Sequence, residues 1–225
     1  MNIEIWSDVA CPFCYIGKRH LEAALERFES RDHVTVVWRS FQLAPDMPHE
    51  VEGDLRDHLA AKYGVSRDEA GAMNGRVLEM ARAAGLELDL DRVRPTNTLD
   101  AHRLIKLAGH SGLEDRMVER LLRAYFADGE HLGDSEALVR LASEVGLDGG
   151  EVAAALDGDA ELEAVRADIA EATSLGLSAV PAFVIDRSLL VSGAQPPAAL
   201  LGALEQAWGQ RQAVDSGAAD AAGTA

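Results

Sequence analysis

The chain has 225 residues, 48% of them hydrophobic and 26% charged, ordinary proportions for a soluble globular protein long enough to bury a core without disulfide staples. Its 38 acidic and 21 basic side chains give a formal net charge of −17, which repels phosphate backbones and anionic lipid surfaces and argues against nucleic-acid or membrane partners. No stretch approaches the roughly 20 apolar residues that span a bilayer, and the start Met-Asn-Ile-Glu-Ile-Trp has neither a basic nor an apolar leader region, so a cytoplasmic location is expected.

Asn2 to Ser7, with Ile3, Ile5 and Trp6, reads as a first strand. From Cys14 to Phe28 the apolar positions Cys14, Leu21, Leu25 and Phe28 recur at helical spacing, so an amphipathic helix follows. Val34 to Trp38 is β-branched and aromatic. It predicts a second strand parallel to the first, because a helix connects them. Residues 47 to 175 read as almost wholly helical. Ser66 and Glu69 form a capping box for a helix running toward Ala84, Thr96 or Asn97 caps another, and Asp134 or Ser135 a third. Gly85, Gly109, Gly146 and Gly176 each follow a helical pattern and are expected as left-handed C-caps. Ala179–Ile185 and Leu189–Val191 read as a hairpin about Asp186-Arg187-Ser188, and Pro196 and Pro197 open a last helix with Leu200, Leu201, Leu204 and Trp208 on one face. The order is βαβ, a helical block, then ββα. It implies an α/β fold: a discontinuous sheet domain over 1–45 and 177–209, a helical insertion over 46–176, and a disordered tail over 210–225, where the composition is Gly, Ala, Asp and Ser.

The only two cysteines, Cys11 and Cys14, stand two residues apart where a helix follows a strand. Cys11 falls at the helix N-cap with Pro12 at the first helical position. The first-turn N–H groups there lack partners and carry partial positive charge. A thiol in such a position becomes more acidic, falling from about 8.5 toward about 3.5–7.5. Cys11 is therefore assigned as the attacking nucleophile. Cys14, one turn further in, is the resolving thiol that closes a disulfide with it. A zinc site would need two more ligands, and the seven histidines form no compact pair, so no metal is expected. Inert packing of two thiols is the bland alternative. Asp8 either ends the first strand or relays protons to the site. His102 is read as a surface or capped histidine in preference to one facing the cleft. From the residues alone, Pro181 is an ordinary trans proline at a strand start.

The run Trp6-Ser7-Asp8-Val9-Ala10-Cys11-Pro12-Phe13-Cys14-Tyr15-Ile16-Gly17-Lys18 resembles the DsbA-like thioredoxin-fold oxidoreductases, in particular the FrnE-like subfamily. The stretches Arg39–Pro48, Asn97–Leu104, Tyr125-Phe126 with Gly129, and Ser178–Phe183 resemble later landmarks of that family, so the likeness covers about residues 1 to 208. It implies a thioredoxin-like fold with a large helical insertion, a cis peptide at Val180-Pro181 facing the cysteines, and Val180 backbone groups that pair with an extended substrate. Pro12 and Phe13 tune the pair. Thioredoxins often carry a buried carboxylate six positions before the first cysteine, and Ile5 stands there, so the base for Cys14 is unassigned.

The resemblance implies a thiol–disulfide oxidoreductase acting on protein or small-molecule disulfides, with no bound cofactor and glutathione as a redox partner. The alternative is a glutathione-dependent transferase or isomerase of the kappa-class or chromene-carboxylate isomerase type, in which Asn97 and His102 would contact substrate. Two intact cysteines argue against it, since those relatives typically place Ser at position 11. A binding module without turnover is the third reading. A couple as oxidising as about −120 mV, in a cytosol at about −220 mV, lies about 3.4 decades toward the dithiol, so reduction or isomerisation is the expected direction. Phe13 offers no hydrogen to the Cys11 sulfur. Phe13→His is therefore expected to make the couple more oxidising, read as an upward shift of the midpoint in glutathione redox buffers.

Overall fold

The computed structural model describes the backbone of residues 1–222 and the side chains of residues 1–213. Strand β1 (Asn2–Ser7) leads through a short loop into helix α1 (Pro12–Arg27), and a single 3₁₀ turn at Arg31–His33 precedes strand β2 (Thr35–Ser40). Helices α2 (Leu55–Tyr63), α3 (Arg67–Ala83), α4 (Leu99–Gly109), α5 (Glu114–Arg123), α6 (Ser135–Val145), α7 (Gly149–Asp157) and α8 (Leu162–Ser174) follow, α5 ending in a π turn at Ala124–Asp128. Strands β3 (Ala182–Ile185) and β4 (Leu189–Ser192) and helix α9 (Pro197–Ala222) complete the described chain.

The sheet order is β2-β1-β3-β4, with β1 parallel to β2 and antiparallel to β3, so the first and last β segments pair across more than a hundred intervening residues. Strand periodicity sorts the two faces. Ile3 and Ile5 pair with Ile185 and Phe183, and with Leu21, Leu200 and Leu204 they belong to the main core, which α1 and α9 help to cover. Glu4 and Trp6 pair with Val184 and Ala182 on the opposite face. There Trp6 joins Cys11, Cys14, Ala172, Val180, Ala182 and Val184 in a second, smaller apolar cluster. Asp186 and Arg187 take positive φ values of 45° and 55° at the centre of a turn that Ser188 N closes by donating to Ile185 O at 3.0 Å, within a three-residue connection between Ile185 and Leu189.

Strand β2 lies at a sheet edge, and side chains of the helical segment occupy its outer backbone groups. Glu114 on α5 accepts from Trp38 N at 3.2 Å, and Asp168 on α8 accepts from Ser40 N at 2.9 Å. Lys106 on α4 donates to Trp38 O at 2.7 Å. Asp168, 3% exposed, also binds Arg39 at 3.0 Å and Lys106 at 2.6 Å, and its carbonyl accepts from Trp6 Nε1. Arg39 continues to Glu4, which Arg187 reaches as well. Burial alone would raise the Glu4 carboxyl; the hydrogen bonds and charge of Arg187 and Arg39 outweigh it and hold the group below its ordinary value.

Several expectations are corrected. Residues 47–54 and 85–98 are not helical. Gly109 is the last residue of α4, not a left-handed cap; the chain makes one more turn, and Gly112 takes the positive φ, letting Leu113 N reach Ala108 O at 2.9 Å. Gly85, Gly146 and Gly176 do have positive φ. Strand β3 starts at Ala182 rather than Ala179, after Pro181, which has no N–H for a ladder. Helix α9 extends through Ala222, so 210–222 are helical where the composition suggested an irregular tail; alanine's helix propensity outweighs the lack of large apolar residues. The rest of that tail, 223–225, lies outside the described residues.

Asp168→Ala leaves Lys106 and part of Arg39 without a buried counter-charge. Loss of one member of a buried ion network costs about 3–5 kcal/mol. The expected result is a fall in thermal midpoint of about 6–20 °C by circular dichroism, with Asp168→Asn losing less because it keeps an acceptor for Ser40 N.

Candidate active site

Strand β1 ends at Ser7, and the loop Asp8-Val9-Ala10 turns the chain into α1, with Cys11 N hydrogen-bonded to Asp8 O at 3.0 Å. Cys11 is the N-cap in extended conformation, φ −102° and ψ 110°, with Pro12 at the first helical position, where its missing N–H costs nothing. Cys11 makes no side-chain cap bond, and its sulfur lies 3.6 Å from Val180 O. Both cysteines are free thiols in this structure. The Val180–Pro181 peptide is cis. Helix α1 can approach it closely because position 17 is glycine: a Cβ there would stand 2.9 Å from Pro181 Cγ and 3.2 Å from Phe183 Cζ.

The two thiols differ in surroundings. Cys11 lines a cavity, while Cys14 lies behind it in the apolar cluster under Trp6. Burial pushes the Cys14 thiol well above its ordinary value. A hydrogen bond to Cys11 and the Cys11 charge push the same way, against donation from the Ser7 hydroxyl and the Asp8 N–H. Cys14 therefore holds its proton at neutral pH.

Asp8 is buried at 2% exposure with both oxygens engaged. Oδ2 accepts from Leu43 N at 2.8 Å; Oδ1 accepts from Ala10 N at 3.2 Å and stands 3.4 Å from His102 Nε2. Asp8 thus joins the loop before α1, the loop after β2 and helix α4, and it also lines the cavity. His102 is buried beside Asp8 rather than at the surface, and it does not line the cavity; the apolar face of α4 carries it inward with Ala101 and Leu104. Asn97 does not line the cavity either. Its amide donates to Pro45 O at 2.9 Å and Met47 O at 2.7 Å and accepts from Gln42 Nε2 and Leu99 N, so all its hydrogen-bonding capacity holds the loop after β2 and the start of α4. The sequence reading gave no role to Tyr125, Asn74 or His58, which share the cavity wall with Cys11. Burial, then the Asp8 charge, keep the Tyr125 phenol neutral, and burial with the Lys62 charge lowers the His58 imidazole. Tyr125 stood in a landmark stretch; nothing in the spacing of Asn74 or His58 marks them. Among the described residues no group of three His, Cys, Asp or Glu side chains converges as a metal site.

The sequence profile of the DSBA-like thioredoxin domain matches residues 2–205. The chain belongs to that family. A solved probable DsbA oxidoreductase, SCO1869 from Streptomyces coelicolor, is 43% identical over 93% of this chain and 90% of its own, with a TM-score of 0.89. Two more distant structures share the fold. The cytosolic disulfide reductase DsbM from Pseudomonas aeruginosa, solved also with glutathione, is 19% identical over 92% of this chain and 98% of its own, TM-score 0.63. A 2-hydroxychromene-2-carboxylate isomerase is 20% identical over 96% and 98%, TM-score 0.68. The family is one of thiol oxidoreductases with a thioredoxin fold. Among the described residues no helix is long and apolar enough to cross a membrane.

An acid with a raised pKa ionises later, so Cys14 in a Cys11→Ser variant, which keeps the dominant burial, is expected to show no thiolate absorbance at 240 nm until the pH passes the ordinary thiol value of about 8.5. A thiolate signal already complete at pH 7 would contradict this placement.

Proposed function

We propose that the chain is a thiol–disulfide oxidoreductase in which Cys11 attacks a substrate disulfide and Cys14 resolves the mixed disulfide, working in the reducing direction with glutathione as its thiol partner. The observation that carries this reading is the asymmetry of the pair: Cys11 faces the cavity and Cys14 is enclosed behind it. Charge orders the two steps. While Cys11 is a thiolate, its hydrogen bond and charge hold the proton on Cys14. Once the Cys11 sulfur is bonded to substrate, both effects vanish, and the Ser7 hydroxyl and Asp8 N–H remain to stabilise a Cys14 thiolate. That thiolate attacks Cys11 Sγ, releases the substrate thiol and closes the Cys11–Cys14 disulfide. Two glutathione thiols restore the dithiol. Val180, at the cis-proline loop, presents its carbonyl beside Cys11 and is the natural backbone partner for bound substrate. A cytoplasmic setting, like that of the DsbM reductase, and the FrnE-like subtype fit this direction.

Equilibration in glutathione redox buffers, read by alkylation and intact mass, tests the reading. The wild type is expected to show one two-electron transition with a single internal disulfide. Cys14→Ser is expected to trap glutathione on Cys11, and Cys11→Ser to trap none. A wild type whose Cys11 stays glutathionylated in oxidising buffer overturns the proposal in favour of the glutathione-dependent transferase or isomerase.

A further inference from the structure

The cavity beside Cys11 has a volume of about 180 Å³. An engineered apolar cavity of about 150 Å³ is enough to take benzene, so this one accommodates a single ring or a short hydrocarbon branch. Leu55 and Leu59 of α2, Met73 and Val77 of α3, and Leu90 and Phe126 form its apolar walls. Polar side chains, among them Asp8, His58 and Tyr125, line it as well, and one of the polar groups has no partner. Asn74, on α3 and 6% exposed, has an amide nitrogen buried without any hydrogen-bond partner. Buried donors without an acceptor are rare in folded proteins and call for a reason. The disulfide-exchange reading does not use Asn74, and neither Cys14 nor the charged network touches it.

We propose that this cavity receives a ring-sized apolar substituent of a low-molecular-weight disulfide, with a carbonyl oxygen on that substituent accepting from Asn74 Nδ2 while Cys11 attacks the adjoining sulfur. The proposal rests on the disulfide-exchange reading and adds the substrate class to it. Size and position select a small molecule over a folded protein. Cys11 is only 4% exposed, and the cavity that reaches it is walled by two helices and fits one ring. For a disulfide R–S–S–R′ with R in the cavity, the Cys11 thiolate bonds to the sulfur bearing R and releases R′–S⁻, which takes a proton. Cys14 loses its proton and attacks Cys11 Sγ, releasing R–SH. Two electrons pass from the dithiol to the substrate, and two thiol equivalents of the glutathione class return them.

Two glutathione mixed disulfides test this with the full chain, one with N-benzyl-2-mercaptoacetamide and one with 2-mercaptoethanol, followed by glutathione reductase coupling. The expected result is a kcat/KM about tenfold or more higher for the benzyl compound, because only it buries a ring. Asn74→Leu, close in shape, is expected to lose about tenfold of the benzyl rate through the missing donor, and Val77→Trp, which fills the cavity, to erase the preference. A second readout avoids turnover: calorimetric binding of the unreactive thioether N-benzyl-2-(methylthio)acetamide, expected for the wild type and absent for Val77→Trp. Equal kcat/KM for the two disulfides overturns the cavity assignment and leaves the exchange reading standing. Thioether binding abolished by Val77→Trp, with neither disulfide reduced, upholds the cavity ligand and overturns the exchange reading. Thioether binding unchanged in Val77→Trp overturns the assignment directly.

Discussion

Asp168 joins the two parts of the molecule on which the site depends. Its carboxylate, buried on α8, accepts from the backbone of edge strand β2 and pairs with Arg39 on that strand and Lys106 on α4. A buried carboxylate with one partner would pay a large desolvation cost; three donors converging on it make the burial tolerable. The position of β2 fixes the loop that leaves it. Asn97 holds the carbonyls of Pro45 and Met47 in that loop, and Asp8 takes Leu43 N. Asp8 in turn accepts from Ala10 N in the turn that delivers Cys11. The Cys11 sulfur is thus placed by a relay of side-chain-to-backbone hydrogen bonds that starts in the helical segment, not by the sheet alone.

Within that frame the two thiols differ in setting, Cys11 on the cavity wall and Cys14 off it. Glycine at position 17 lets α1 lie against Pro181, which brings Val180 O within 3.6 Å of Cys11 and leaves Cys14 sealed beneath. Depth alone would make Cys14 inert. Against that burial stand two donors, the Ser7 hydroxyl and the Asp8 N–H, which pull the Cys14 thiol the other way. Burial, with Cys11 beside it, outweighs these donors, and the Cys14 thiol stays raised.

Features governed by local rules were readable from the residues. The capping box at Ser66 and Glu69, the Asp134 cap, proline at the start of α1 and α9, and the extents of β1 and α1 follow from backbone chemistry within a few positions. The exchange of a buried for an exposed setting at His102, and the diversion of Asn97 to loop carbonyls, depend on packing between segments about fifty to a hundred positions apart, which no local pattern encodes. Gly109 shows the limit of even a local rule: a glycine three positions later served the left-handed turn equally well. Ile5, expected to mark a missing carboxylate, faces the main core, while its neighbour Glu4 supplies a buried carboxylate to the opposite face for the arginines.

The covering of β2 also bears on how copies of this chain can meet. An open strand edge is a template for pairing with a second chain. On β2 the outward N–H groups of Trp38 and Ser40 and the carbonyl of Trp38 are already taken by Glu114, Asp168 and Lys106. The other edge of the sheet, β4, is a four-residue strand with Leu190 half exposed. An edge that short offers little ladder to a partner, so the ion network that steadies the site also protects the protein against edge-to-edge aggregation.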